Sequence, residues 1–147
     1  MNDITFKLPV EPDAALEQMI LTIQHLRDVY IRETAALEDG DSKLFLSLQD
    51  EKFSAAQAYQ EGIEQMLDRK EEIKLASPVL KASLRGLQTE FSALFERNLE
   101  ALERMNRTMT SLGEKLRAAA MEQANKYRTH NYGETGYVPV SYTHLRA

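Results

Sequence analysis

From Pro78 to about Arg128 the chain runs about fifty residues without another proline and with an apolar beat that fits only a helix. Leu80, Leu84, Leu87, Phe91, Leu94, Asn98, Ala101, Met105 and Leu112 recur at gaps of three and four, with a polar Thr108 in the remaining slot. Phe95, Leu99, Leu102 and Met109 widen the stripe on one side. Such a seam belongs to a long helix packed on other helices. At about 1.5 Å per residue it would extend roughly 75 Å, and no second segment is long enough to cover all of it.

Two shorter helical segments precede it. The first is expected from Pro12–Asp13 to about Leu37, with proline in the first turn and Asp13 at the positive helix end. Its seam is Leu16, Met19, Ile23, Leu26, Tyr30 and Leu37, with Ile20 beside it; Glu33 interrupts it and should make that end pack less dryly. Gly40 suits a left-handed C-terminal cap. The second helix should start after Asp41 or Ser42 and run to about Leu75 along Phe45, Leu48, Phe53, Ala56, Tyr59, Ile63, Met66, Leu67 and Ile73. Lys52 falls within that stripe and is expected to carry its charge outward on an aliphatic stem. Gly62 should weaken the helix by about 1 kcal/mol relative to alanine. Ser77-Pro78 ends this helix and caps the next, and the short link sets the two antiparallel.

The expected fold is all-α: an elongated antiparallel three-helix bundle or coiled coil whose long third helix overhangs the other two. Residues 13–128 form the helical domain, preceded by an extended lead-in at 1–12. That lead-in either lies against the first helix or frays. Residues 129–147 carry glycines, a proline and tyrosines without a helical stripe and read as a disordered tail. From about Val140 the tail reads as an unrelated extension. Folded back from Ser77, the second helix would cover the third only to about Leu112, leaving 113–128 bare, with Gly113 a weak point at the border. The bare part carries a thin stripe of Leu112, Leu116, Ala119, Ala120, Gln123 and Tyr127. On spacing alone this stripe is either a binding surface or a frayed end.

Size and charge narrow the function classes. The 147 residues suffice for one domain. A formal charge of −5 disfavours non-specific binding to nucleic acid or anionic membrane. There is no cysteine, so neither a disulfide nor a thiolate metal site can form. Neither a secretory signal nor a membrane span is expected, and a cytoplasmic location follows as the expectation. His25, His130 and His144 are scattered and lack the carboxylate spacing of a metal site. No phosphate-binding loop, nucleophile elbow or zinc-protease motif occurs, so no enzyme, metal or cofactor is expected. Asn98 in an apolar seam fits a buried amide that fixes helix register. Tyr127, Tyr132 and Tyr137 recur at five-residue intervals where burial does not account for them.

The run Phe95-Glu96-Arg97-Asn98-Leu99-Glu100-Ala101-Leu102-Glu103 is followed by an alanine-rich segment and by Tyr127-x(4)-Tyr132-Gly133. Together with Leu48-Gln49-Asp50-Glu51-Lys52-Phe53 and the three-helix plan, it resembles the FlgN family of flagellar type III export chaperones over about residues 13–136. The resemblance implies a small cytoplasmic helical protein. Such a protein holds the C-terminal helical segments of hook–filament junction proteins (FlgK/FlgL-like) unassembled and delivers them to the export gate, the cytoplasmic domain of an FlhA-like protein. It places client binding on Leu112, Leu116, Ala119, Ala120, Gln123 and Tyr127, and gate docking on Tyr127 or Tyr132. The competing reading is a non-enzymatic coiled-coil scaffold or self-associating accessory protein.

Overall fold

Helix α1 (Pro12–Asp39) starts where the Glu11 carboxylate accepts from the Ala14 N–H at 2.7 Å, with Pro12 in the first turn. It stops at Gly40, whose φ of 70° is the left-handed cap the sequence called for. In place of one second helix there are three: α2 (Ser42–Ser47), α3 (Gln49–Asp68) and α4 (Lys70–Ile73). The Asp41 carboxylate caps α2 through Leu44 N–H. Helix α5 (Pro78–Thr135) opens with the Ser77 hydroxyl accepting from Leu80 N–H, and Ser77 N–H donates to Asp13 Oδ1 at 2.7 Å. This computed structural model describes residues 6–135, and side chains as far as Arg128. Among the described residues there is no strand, and none of the helices is long and apolar enough to cross a membrane. The chain is an all-α helical bundle.

One compact unit spans Met1–Leu102 and a second spans Glu103–Ala147. In the first, pairings fix the directions. Asp13 meets Ser77, Arg27 meets Glu90 and Glu38 meets Arg97, so α1 and the opening of α5 run the same way. Glu33 meets Gln49 and Lys52 while Met19 faces Gly62, so α3 runs against them. One apolar cluster joins Leu8, Leu16, Met19, Ile23, Ile73 and Leu84. A second joins Leu26, Val29, Tyr30 and Ala55, with Phe91 set edge-on to Tyr30 at a ring separation of 5.0 Å.

The breaks at Leu48 and Arg69 carry no proline or glycine, and both have a tertiary cause. At Leu48 the Gln49 amide donates to the Phe45 carbonyl and to Glu33, and Leu48 itself is buried. At Arg69 the guanidinium binds the carbonyls of Pro9 and Val10 and the Glu72 carboxylate. Part of the expected stripe faces outward: Phe53 and Leu67 are exposed, at 71% and 66%, while Ala55 and Gly62 of the same helix face inward.

The lead-in is laid along α3. Phe6 N–H donates to Glu61, Leu8 N–H donates to Gln65 Oε1 at 2.8 Å, and Gln65 Nε2 donates back to the Phe6 carbonyl. Glu61, Gln65 and Arg69, one turn apart, thus hold its backbone much as a neighbouring strand would. Replacing Gln65 by leucine removes both partners of that clamp. The expected result is a loss of about 1–2 kcal/mol and faster amide exchange at Leu8, read by hydrogen–deuterium exchange.

The cover on α5 ends earlier than reckoned. Glu33 and Gln49 lie level with Asn98, so twenty residues of α1 from Asp13 match twenty-one of α5 from Ser77. The descending chain needs twenty-eight, from Gln49 to Ser77, because its breaks and the turn at 74–77 take up chain without advancing along α5. Ala101, not Leu112, is the last buried residue of α5 among those whose side chains are described. The helix also continues through Gly113, where the expected weak point shows no break, and ends at Thr135 rather than near Arg128.

Candidate functional site

Two features stand apart from ordinary packing. The first is a buried polar knot. Glu33 is fully buried and accepts from Lys52 Nζ at 2.9 Å, Gln49 Nε2 at 2.7 Å and Asn98 Nδ2 at 2.7 Å. Asn98 also donates to Thr34 Oγ1, and the Lys52 ammonium lies 4.9 Å from the centre of the Tyr30 ring. Both expectations for the charged residues are corrected. Glu33 does not wet the seam, and Lys52 points in rather than out. Burial pushes the Glu33 carboxyl up, but the hydrogen bonds from Gln49, Asn98 and Lys52 and the Lys52 charge outweigh it and hold the group below its ordinary range. Burial, with Glu33 nearby, holds the Tyr30 phenol above its ordinary value.

Perturbed carboxylates often mark catalytic sites. Here every oxygen of Glu33 is committed to a neighbour within the bundle, and no buried side-chain polar atom among the described residues lacks a partner. The knot joins α1, α3 and α5 at one level, and Asn98 is the buried amide expected in the third seam. Sequence reading found Asn98 but missed its partners. A signal existed: Glu33, Lys52 and Asn98 each interrupt the apolar seam of a different expected helix, with chemistry that pairs.

The second feature lies on the Glu103–Ala147 unit. Residues 103–128 are helical, and none of them is buried. Leu112, Leu116, Ala119, Ala120, Gln123 and Tyr127 recur at three and four residues, so the helix aligns them on one face. Leu116 is 62% exposed and Tyr127 59%; Ala119 and Gln123 are exposed, and Ala120 is intermediate. Met109, at 61%, extends this face toward the N-terminus. The apolar beat that is buried at Leu84 and Ala101 therefore continues on this face, with Met109, Leu112 and Leu116 exposed. Met121 is also exposed, but at about 100° per residue it lies on the opposite face from Leu112.

Tyr132 belongs to the backbone of α5, but its side chain and those of His130 and the tail, including Tyr137 and His144, lie outside the described residues. His25 is exposed, 3.6 Å from Glu51, and no group of three His, Asp or Glu that could hold a metal occurs among the described residues. An open apolar groove of about 460 Å³ over Ile63, Met66, Leu67 and Ile73 is rimmed by Lys70, Lys74 and Lys81. Lys74 is engaged by Glu71, and Lys81 by the Lys74 carbonyl. Comparison with protein-family models, with curated proteins and with solved structures gives no match.

Proposed function

We propose that the protein is a non-enzymatic, cytoplasmic, FlgN-like flagellar export chaperone. Its uncovered stripe on residues 103–128 captures the C-terminal helical segment of a FlgK/FlgL-like hook–filament junction protein. The observation that carries the reading is that stripe, with Met109, Leu112 and Leu116 exposed on a helix whose equivalent face holds the buried Leu84, Asn98 and Ala101. A lone helix of this length is marginal in water, so a partner helix that buries the stripe gains apolar contact and supplies order. The ordering cost keeps affinity moderate, which suits a client that must be released at an FlhA-like gate. Tyr127 and Tyr132 are the candidates for gate contact.

The test is amide exchange on the full chain with and without a purified C-terminal fragment of a junction protein. Protection confined to residues 103–128 supports the reading. The double variant Leu112→Asp/Leu116→Asp should weaken capture by about tenfold or more, since each carboxylate would be desolvated on binding, while bundle melting stays unchanged. Tyr127→Ala and Tyr132→Ala should leave capture largely intact and impair gate binding. If the stripe instead closes on a second copy, sedimentation will show a concentration-dependent dimer that Leu116→Asp abolishes, and the scaffold reading takes its place.

A further inference from the structure

The side chains flanking the stripe specify the charge of whatever covers it. Residues 103–128 hold six Lys and Arg against three Glu, in a chain whose overall formal charge is −5. Their placement around the helix is not even. With Leu112 as origin and about 100° per residue, Leu116, Ala120, Gln123 and Tyr127 lie within about 80° on one side. Lys115 and Lys126 border the stripe about 40–60° to the other side of Leu112, and Arg117 and Arg128 lie beyond its far edge at about 140–160°, within reach of a neighbour only through their long side chains. Arg104 lies on the same flank as the two lysines, at about 80°, while Glu103, Glu114 and Arg107 fall on the back, about 180–220° from Leu112. The third carboxylate, Glu122, lies beside the Lys flank and is tied to Lys126 at 3.5 Å.

An apolar seam edged by one sign of charge is the arrangement by which paired helices choose partners. The existing partners of these cations are weak ones. The Lys126–Glu122 pair is about 70% exposed on both sides, and Arg128 donates to the neutral Asn125 amide oxygen. We infer that the occupant of this stripe is an acidic amphipathic helix of another protein, its apolar seam flanked by Glu or Asp that meet Lys115, Lys126, Arg117 and Arg128. The inference rests on reading the stripe as a capture surface and adds the chemistry of what is captured. A second copy of this chain is a poor occupant, because its own stripe would bring the same cations face to face.

The test uses the full chain and two synthetic helical peptides with one leucine seam, flanked by glutamate in one and by lysine in the other. Fluorescence anisotropy at about 0.1 M salt should show the glutamate peptide binding at least ten times more tightly than the lysine peptide. The ratio should shrink toward one near 1 M salt, where the screening length is about 3 Å. The fourfold variant Lys115→Glu/Arg117→Glu/Lys126→Glu/Arg128→Glu should invert the preference, with bundle melting as a check that the fold is kept. Equal binding of the two peptides, tighter binding of the lysine peptide, no binding of either, or a preference untouched by the fourfold variant would each overturn the inference. A clear glutamate preference with no capture of a junction-protein fragment would keep the charge assignment and sink the export-chaperone reading. Capture of the fragment with no charge preference would do the reverse.

Discussion

Glu33→Gln should destabilise the bundle by about 3 kcal/mol or more, the largest effect of any single polar change in the chain. Removing one partner of a buried ion pair leaves the other charge uncompensated, which costs about 3–5 kcal/mol. Here the glutamine would keep one accepting oxygen and turn an NH₂ toward donors already present, Lys52 Nζ and either Gln49 or Asn98. Chemical denaturation at neutral pH reads the loss. The acid side gives a second, independent signature. Glu33 is held below its ordinary range in the fold, so the unfolded chain takes up the proton first. Its stabilising contribution is therefore complete above the ordinary carboxylate pKa and drains away as pH falls through the folded value. The wild type should lose stability over that acid window, and Glu33→Gln should show a shallower slope there. If the slopes match, the knot is not what ties stability to pH.

The same knot can be separated from raw stability. Replacing Glu33, Lys52 and Asn98 together by leucine or methionine removes the buried charges as a set, which elsewhere is neutral or stabilising. The expected cost is then in register rather than in free energy, visible as broadened or doubled resonances for residues of α5.

The second large effect is at glycine, where one substitution has opposite signs at two sites. A Cβ on Gly62 would run into Met19 Sδ and crowd the ring of Phe6, and Met19 is itself fully buried. Gly62→Leu should therefore cost about 1–3 kcal/mol from overpacking, and Gly62→Ala should destabilise despite its better helix propensity. Gly86 has nothing within 4 Å of such a Cβ. Gly86→Ala should stabilise by about 0.5–1 kcal/mol. Paired thermal melts decide the matter: if both alanine variants rise together, α1 and α3 do not meet closely at Gly62.

That contrast also separates what was readable in the residues from what was not. Gly62 and Gly86 look alike as interruptions of a helical pattern, and only the neighbour across the interface, Met19, distinguishes them. Lys52 was read as an exposed head on a buried stem because that is the cheaper course for an unpaired charge. The structure supplies the partner, Glu33, nineteen residues away. Phe53 and Leu67 sit at one side of the stripe expected for a single second helix, and the structure leaves both exposed. Ala55 and Gly62, on the same helix α3, face inward in their place, and at Gly62 the neighbour across the interface is Met19.

The sequence by itself determined the helix class, the boundaries at Pro12, Gly40 and Ser77-Pro78, and the phase of the apolar stripe along α5. These depend on backbone geometry and on neighbours within about one turn, which the chain carries locally. Only the tertiary structure decided where the lead-in is held, that three seam interruptions close into one buried ion cluster, and that Ala101 is the last buried residue described on α5. Each of these depends on which residues from different helices come level. That level is set by how much chain is used up in turns and breaks, a quantity no local pattern encodes.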